Sequence, residues 1–196
     1  MRPWPAGGNR SGSRSRSPAD AIQSGAVPAT SDPRSAREVF RGKLLRVEVE
    51  SWPVGEREVV RHPGACAVVA LTTDGDVLLV RQMREAIRQV VLEIPAGIFD
   101  IDGEDAGTCA ARELLEETGH RATKLEHLAQ VYTSPGFTDE RIELFLAEAE
   151  PATDASGEDS VEVVRMPFDE ALVMVKNGQI QDLKTMAGLL LARDRK

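Results

Sequence analysis

Residues 95–120 read PAGIFDIDGEDAGTCAARELLEETGH, with Glu113, Glu116 and Glu117 in the helical part of the stretch. On a wheel of about 100° per residue, Glu117 lies about 40° and Glu116 about −60° from Glu113, so the three carboxylates share one helix face. That face is unfavourable by itself. Like charges at i,i+4 cost on the order of 0.2–0.5 kcal/mol each, and negative charge near a helix C-terminus opposes the macrodipole. A bound cation offsets both. The preceding loop adds Asp100, Asp102, Glu104 and Asp105 among Gly97, Gly103 and Gly107. Hard cations take carboxylate and carbonyl oxygens, and Mg²⁺ favours sites completed by phosphate and water. The competing reading is a solvated acidic face in which Arg112 pairs with Glu116 at i,i+4. Side chains lean toward the helix N-terminus, so the small residues Ala106 and Cys109 are expected to form an open floor beneath the carboxylates. Gly107, Ala110, Ala111, Leu114 and Leu115 form the expected core face.

These residues need a scaffold, and the patterning predicts many short strands with a few helices. Leu45 to Glu50 alternates apolar and charged residues, the period of a half-buried strand. Glu58–Arg61 is a second short candidate. Cys66–Leu71 and Val77–Val80 are continuous apolar runs, and Asp74-Gly75 between them signals a hairpin. Val90–Ile94, Leu128–Tyr132, Ile142–Leu146 and Val161–Val164 complete the expected strands. Helices are predicted from about Glu104 to Thr118, closed by Gly119; from Pro167 to before Gly178; and from about Asp182 to Arg193. The class is α+β.

Composition narrows the functions. Lys+Arg 24 against Asp+Glu 32 gives a net charge of −8, which argues against a dedicated nucleic-acid binder. No run approaches the roughly 18 apolar residues of a membrane span, so no membrane partner is expected, and two cysteines make no disulfide framework. Residues 1–35 carry a charge of +3, leaving −11 for the remainder. This Ser-, Gly- and Pro-crowded start has hardly any large apolar residue, and residues 1–36 are expected to form a disordered tail. Its Arg and Ser content also suits an organellar transit peptide, although Pro and Gly oppose the amphipathic helix such peptides need. Residues 37–62 form the expected N-terminal strand region, and residues 63–196 the main domain. His62 and His120 have no zinc-type spacing to Cys66 or Cys109.

The acidic stretch resembles the box of the Nudix hydrolases, Gly-x5-Glu-x7-Arg-Glu-apolar-x-Glu-Glu-x-Gly-apolar. Glu104, Arg112, Glu113, Leu114, Glu116, Glu117 and Gly119 match in register. Gly97 and Glu104 are separated by six residues rather than five, and His120 replaces the terminal apolar residue. Arg41-Gly42, Arg81-Gln82-Met83-Arg84, Leu92 to Gly97 and Ser134 to Glu140 resemble the ADP-ribose pyrophosphatase branch. Pro135, 15 residues beyond His120, resembles that branch's signature proline.

The resemblance implies a Nudix α/β/α sandwich with a mixed sheet, preceded by antiparallel strands. It also implies a cytoplasmic enzyme that splits ADP-ribose into AMP and ribose 5-phosphate with Mg²⁺, for which Mn²⁺ can substitute. Glu113, Glu116 and Glu117, with the carbonyl of Ala96, match metal ligands. Arg84 resembles a diphosphate-contacting arginine, since a guanidinium grips phosphate in a bidentate way. Arg57 is a further phosphate candidate. Glu93 is expected to accept from a ribose hydroxyl, and Trp52 to stack on adenine or serve as an ordinary core aromatic. Glu158 and Asp159, in the loop 154–160, are the candidate general bases, with Glu140 in reserve. The branch forms homodimers in which the N-terminal strands line the partner's adenosine pocket. The alternatives are another nucleoside diphosphate sugar as substrate, or a regulator that binds ADP-ribose without cleaving it.

Overall fold

The computed structural model describes residues 32–153 and 161–195, and two sheets organise them. The smaller is an antiparallel meander of β1 (Ser35–Arg41), β2 (Arg46–Trp52) and β3 (Gly55–Arg61). Trp52 pairs with Gly55 across the β2–β3 turn, where the backbone takes φ 117°, a value that suits glycine.

The larger sheet is built on β4 (Ala65–Thr72), β5 (Asp76–Arg84), β8 (His120–Tyr132), β9 (Arg141–Pro151) and β10 (Glu162–Pro167), in the order β10-β5-β4-β9-β8. Two short strands, β6 (Gln89–Glu93) and β7 (Ala96–Ile98), pair with β5 and β4. The β4–β9 pair is parallel and the others are antiparallel, so the sheet is mixed. Its helices are α1 (Ala106–Thr118), α2 (Phe168–Lys176) and α3 (Leu183–Arg193).

Helices cover both faces of β4, which is why that strand reads as an unbroken apolar run. Ala67 and Val69 pack with Phe168, Ala171 and Leu172 of α2 and Leu189 and Ala192 of α3. Cys66, Val68 and Ala70 turn the other way, onto Cys109, Ala110 and Leu114 of α1. This is the α/β/α sandwich expected above. Gly188 lets α3 lie close: a Cβ there would come within 2.9 Å of Val69 Cγ2 and 3.1 Å of Ile94 Cδ1.

The structure departs from the sequence patterning in places. α1 begins at Ala106, because Asp105 caps it by accepting from the amides of Gly107 and Thr108; Glu104 stays in the loop. β1 starts at Ser35 and has no counterpart among the expected strands, because all seven of its residues are exposed and carry no burial pattern. β8 starts at His120, well before Leu128, because the polar stretch from His120 to His127 pairs along the far end of β9. β7 also has no counterpart among the expected strands; it is Ala96 and Gly97 of the Pro-Ala-Gly turn, with Ile98, held against β4.

Candidate active site

Glu113 and Glu117 of α1 are turned toward the protein, whereas the Glu116 side chain is exposed and paired with Arg112. The buried residues of the helix are Cys109, Ala110, Leu114, Glu117 and Thr118, so the core arc is rotated from the expected one, and Ala111 and Leu115 lie at its margin. Cys109 is no floor for a ligand: it is fully buried, with its sulfur against Cys66 on β4. Burial pushes both thiols up, so neither is an activated nucleophile.

Glu117 is only 5% exposed, and its Oε2 accepts from the amide of Ala96 at 3.2 Å. Glu113 lies against the next residue: a Cβ on Gly97 would fall 1.9 Å from the Glu113 carboxyl carbon. Two carboxylates of one helix thus reach adjacent residues of β7. Burial raises the pKa of Glu113 despite the neighbouring Arg112. Arg112 fans out over the group, with Nη1 2.7 Å from Glu113 and 3.0 Å from Glu116, and Nε and Nη2 each 3.0 Å from Glu104. The i,i+4 pairing is therefore real and coexists with the convergence on β7. Among the described residues no three acidic, His or Cys groups close around one point. The donor chemistry still fits a hard cation, because the carboxylates of Glu113 and Glu117 meet a backbone stretch that supplies the Ala96 carbonyl.

Arg84, Glu93, Ala96, Gly97, Glu113 and Glu140 line one cavity of about 1000 Å³. Glu93 grips Arg84 with both oxygens, at 2.7 Å from Nε and 2.5 Å from Nη2, and also pairs with Lys184. Its side chain is 3% exposed, and both of its oxygens already accept hydrogen bonds from within the protein. Burial alone would raise its pKa, but Arg84 and Lys184 hold it below the ordinary carboxylate range. A carboxylate with a depressed folded-state pKa contributes stability above its unfolded pKa and loses it as pH falls. Wild-type protein is therefore expected to lose more stability between about pH 5 and pH 3 than Glu93→Gln, as read by denaturant melts at each pH.

Glu140 accepts from the Thr133 hydroxyl at 2.7 Å, with His62 Nε2 at 3.8 Å. Trp52, Arg57 and Pro135 lie elsewhere, lining a separate cleft of about 370 Å³. There the Trp52 indole donates to Glu50 at 2.9 Å, and Arg61 joins Glu48, Glu50 and Asp139. Arg61 and the His62 amide, both bound to Asp139, tie the end of β3 to the loop that carries Pro135. Glu158 and Asp159 fall outside the described residues. Sequence reasoning missed Lys184, whose position in an ordinary amphipathic helix gave no signal. It also set aside His62, whose ring faces Glu140 from 78 residues away in sequence.

A model of the NUDIX domain matches residues 60–189. ADP-ribose pyrophosphatase of Bacillus subtilis (strain 168) is 38% identical over 157 residues, 76% of this chain and 84% of that protein. Methanol dehydrogenase activator of Bacillus methanolicus is 38% identical over 158 residues, covering 76% and 85%. A crystal structure of an ADP compounds hydrolase superposes with a TM-score of 0.68 at 22% identity, over 83% of this chain and 93% of that one, a likeness of fold. The acidic helix, the sandwich around β4 and these matches over most of its length agree that the chain belongs to the Nudix family.

Proposed function

We propose that this Nudix hydrolase cleaves ADP-ribose to AMP and ribose 5-phosphate with the help of a divalent cation, Mg²⁺ or in its place Mn²⁺. The observation that carries the reading is a single cavity whose lining brings Arg84 together with Glu113, Ala96 and Gly97. Arg84, oriented by Glu93, holds the diphosphate. Glu113, Glu116 and Glu117, with the Ala96 carbonyl, are the cation's ligands. When bound, the cation supplies charge neutralisation at the diphosphate and a water of lowered pKa. Glu158 or Asp159 would accept the proton of the attacking water, with Glu140, in the lining of the same cavity, in reserve. Water adds to phosphorus and the bridging P–O bond breaks.

The adenosine end is built by a homodimer. Trp52, Arg57 and Pro135 line a cleft separate from the one holding Arg84, an arrangement that suits a pocket completed by a second copy. The small sheet leaves Val39 and Phe40 of β1 and Leu44 of the β1–β2 connection exposed, which suits burial against a partner. The reading places the enzyme in the cytoplasm, with a small-molecule substrate and neither nucleic acid nor membrane as partner. No helix among the described residues is long and apolar enough to cross a membrane.

Incubation with ADP-ribose and Mg²⁺ is expected to release AMP and ribose 5-phosphate, and a panel of nucleoside diphosphate sugars ranks the alternatives. Binding without release of AMP would make the chain a regulator instead. Trp52→Ala is expected to raise KM for ADP-ribose more than it lowers kcat, because adenosine is remote from the reacting phosphate. Sedimentation should give about twice the 21.3 kDa of one chain; a fully active monomer would overturn the composite site.

A further inference from the structure

We propose that Lys184 is a positioning residue for this reaction: it pins Glu93 from α3 and so fixes the Arg84 guanidinium where the diphosphate binds. The role at the diphosphate rests on the reading of the cleft given above; the link between the three side chains does not.

Lys184 is in a poor place for a lysine. It is the second residue of α3, at the end of the helix where the macrodipole disfavours positive charge, and its side chain is only 10% exposed. Lysines are seldom buried without partners. Its partners are Glu93 and, at 3.1 Å, the helix-capping Asp182. The next residue, Thr185, is fully buried; its hydroxyl accepts from the amide of Ile94 at 2.9 Å and donates to Asp182 at 2.6 Å. The first turn of α3 therefore grips the end of β6 twice, through the side chain of Glu93 and the backbone of Ile94.

The sheet alone does not bring Arg84 and Glu93 together. In the β5–β6 register Arg84 stands opposite Gln89, and Glu93 opposite Val80. They lie on one face but four residues apart along the strand, roughly 13 Å if the strand is ideal. The Arg84 side chain must reach back along β5 to meet Glu93, and a reach of that length keeps one geometry only if its far end is fixed. Nε and Nη2 of Arg84 are spent on Glu93, while Nη1 makes no hydrogen bond to the described residues. Lys184 holds the Glu93 oxygen that also receives Nη2, so the guanidinium is fixed with one nitrogen left for substrate. The four groups Arg84, Lys184, Glu93 and Asp182 sum to zero charge, which lets them be partly buried without a stranded ion.

The test is a double-mutant cycle on the intact protein. Lys184→Met is expected to raise KM for ADP-ribose about five- to tenfold with kcat changed less than about threefold, and to raise it less than about twofold when Arg84 is already Lys. Lys184→Arg is expected to stay within about threefold of wild type. Equal effects of Lys184→Met in both backgrounds would overturn the proposal, by making Lys184 a direct phosphate ligand or a purely structural residue. An unaltered KM in the single variant would overturn it too. The arginine Nε–H NMR signal that disappears in Arg84→Lys gives a readout free of substrate: slow exchange in wild type, loss to fast exchange in Lys184→Met. Lys184→Gln serves the same comparisons if Lys184→Met does not fold. Should wild-type protein cleave no nucleoside diphosphate sugar, the reading of the cleft fails, while the Arg84 signal still decides whether Lys184 acts through Glu93; an unchanged signal there overturns the link.

Discussion

Glu117→Gln is expected to lower kcat by at least about two orders of magnitude, roughly 3 kcal/mol of barrier, with the fold kept. The substitution preserves shape and removes one charge from a side chain held 5% exposed beside the amide of Ala96. A glutamine oxygen still accepts that amide, so the helix stays docked, whereas the anionic donor for a cation is gone. The check is kcat at saturating Mg²⁺, with circular dichroism to establish the fold and Mg²⁺ titration to separate weaker binding from slower chemistry. Near-normal turnover by folded protein would take Glu117 out of the mechanism.

Gly97→Ala is the second large effect. The new methyl carbon would fall 1.9 Å from the Glu113 carboxyl carbon and 2.4 Å from its Cγ. No rotation of the methyl relieves such an overlap, so Glu113 has to leave the place it holds against β7. The backbone of Gly97 is not in the left-handed region, which means that alanine is excluded by the neighbour and not by its own dihedral angles. Activity is expected to fall by about a hundredfold, while stability falls less than it would in a rigid core, because the atoms that must shift belong to one flexible side chain and not to backbone. Activity within about threefold of wild type would show that Glu113 works from somewhere else.

Much of the scaffold was legible because its signals are local. The hairpin at Asp74-Gly75 closes on a Gly75 amide bonded to the Thr72 carbonyl at 2.9 Å, with φ 83° at the glycine. Cys66–Leu71 reads as a strand because helices bury both of its faces. Gly119 ends α1 in the left-handed conformation, φ 68°. The elements that escaped have weak local signals for the same kind of reason: β1 has no buried residue, and β7 is too short to show a period.

The carboxylates at 113, 116 and 117, the arginine at 84 and the Pro-Ala-Gly turn are fixed by residue type and spacing, and with them the chemistry available to the site. Which way the helix presents those carboxylates is another matter. A helical wheel sets the angles between side chains, but the arc that is buried depends on what packs against it, and contact with β4 and β7 turns Glu117 inward and sets Cys109 against Cys66. The fate of Glu93 likewise waits on α3, which brings Lys184 to it across 91 residues of sequence. Trp52 is parted from Arg84 by the placement of the small sheet. Group types and local periods can be read from the order of residues, because they follow from backbone geometry within a few positions. Partners, burial and the separation of the two clefts come from folding, because each depends on contacts between segments whose meeting no local period encodes.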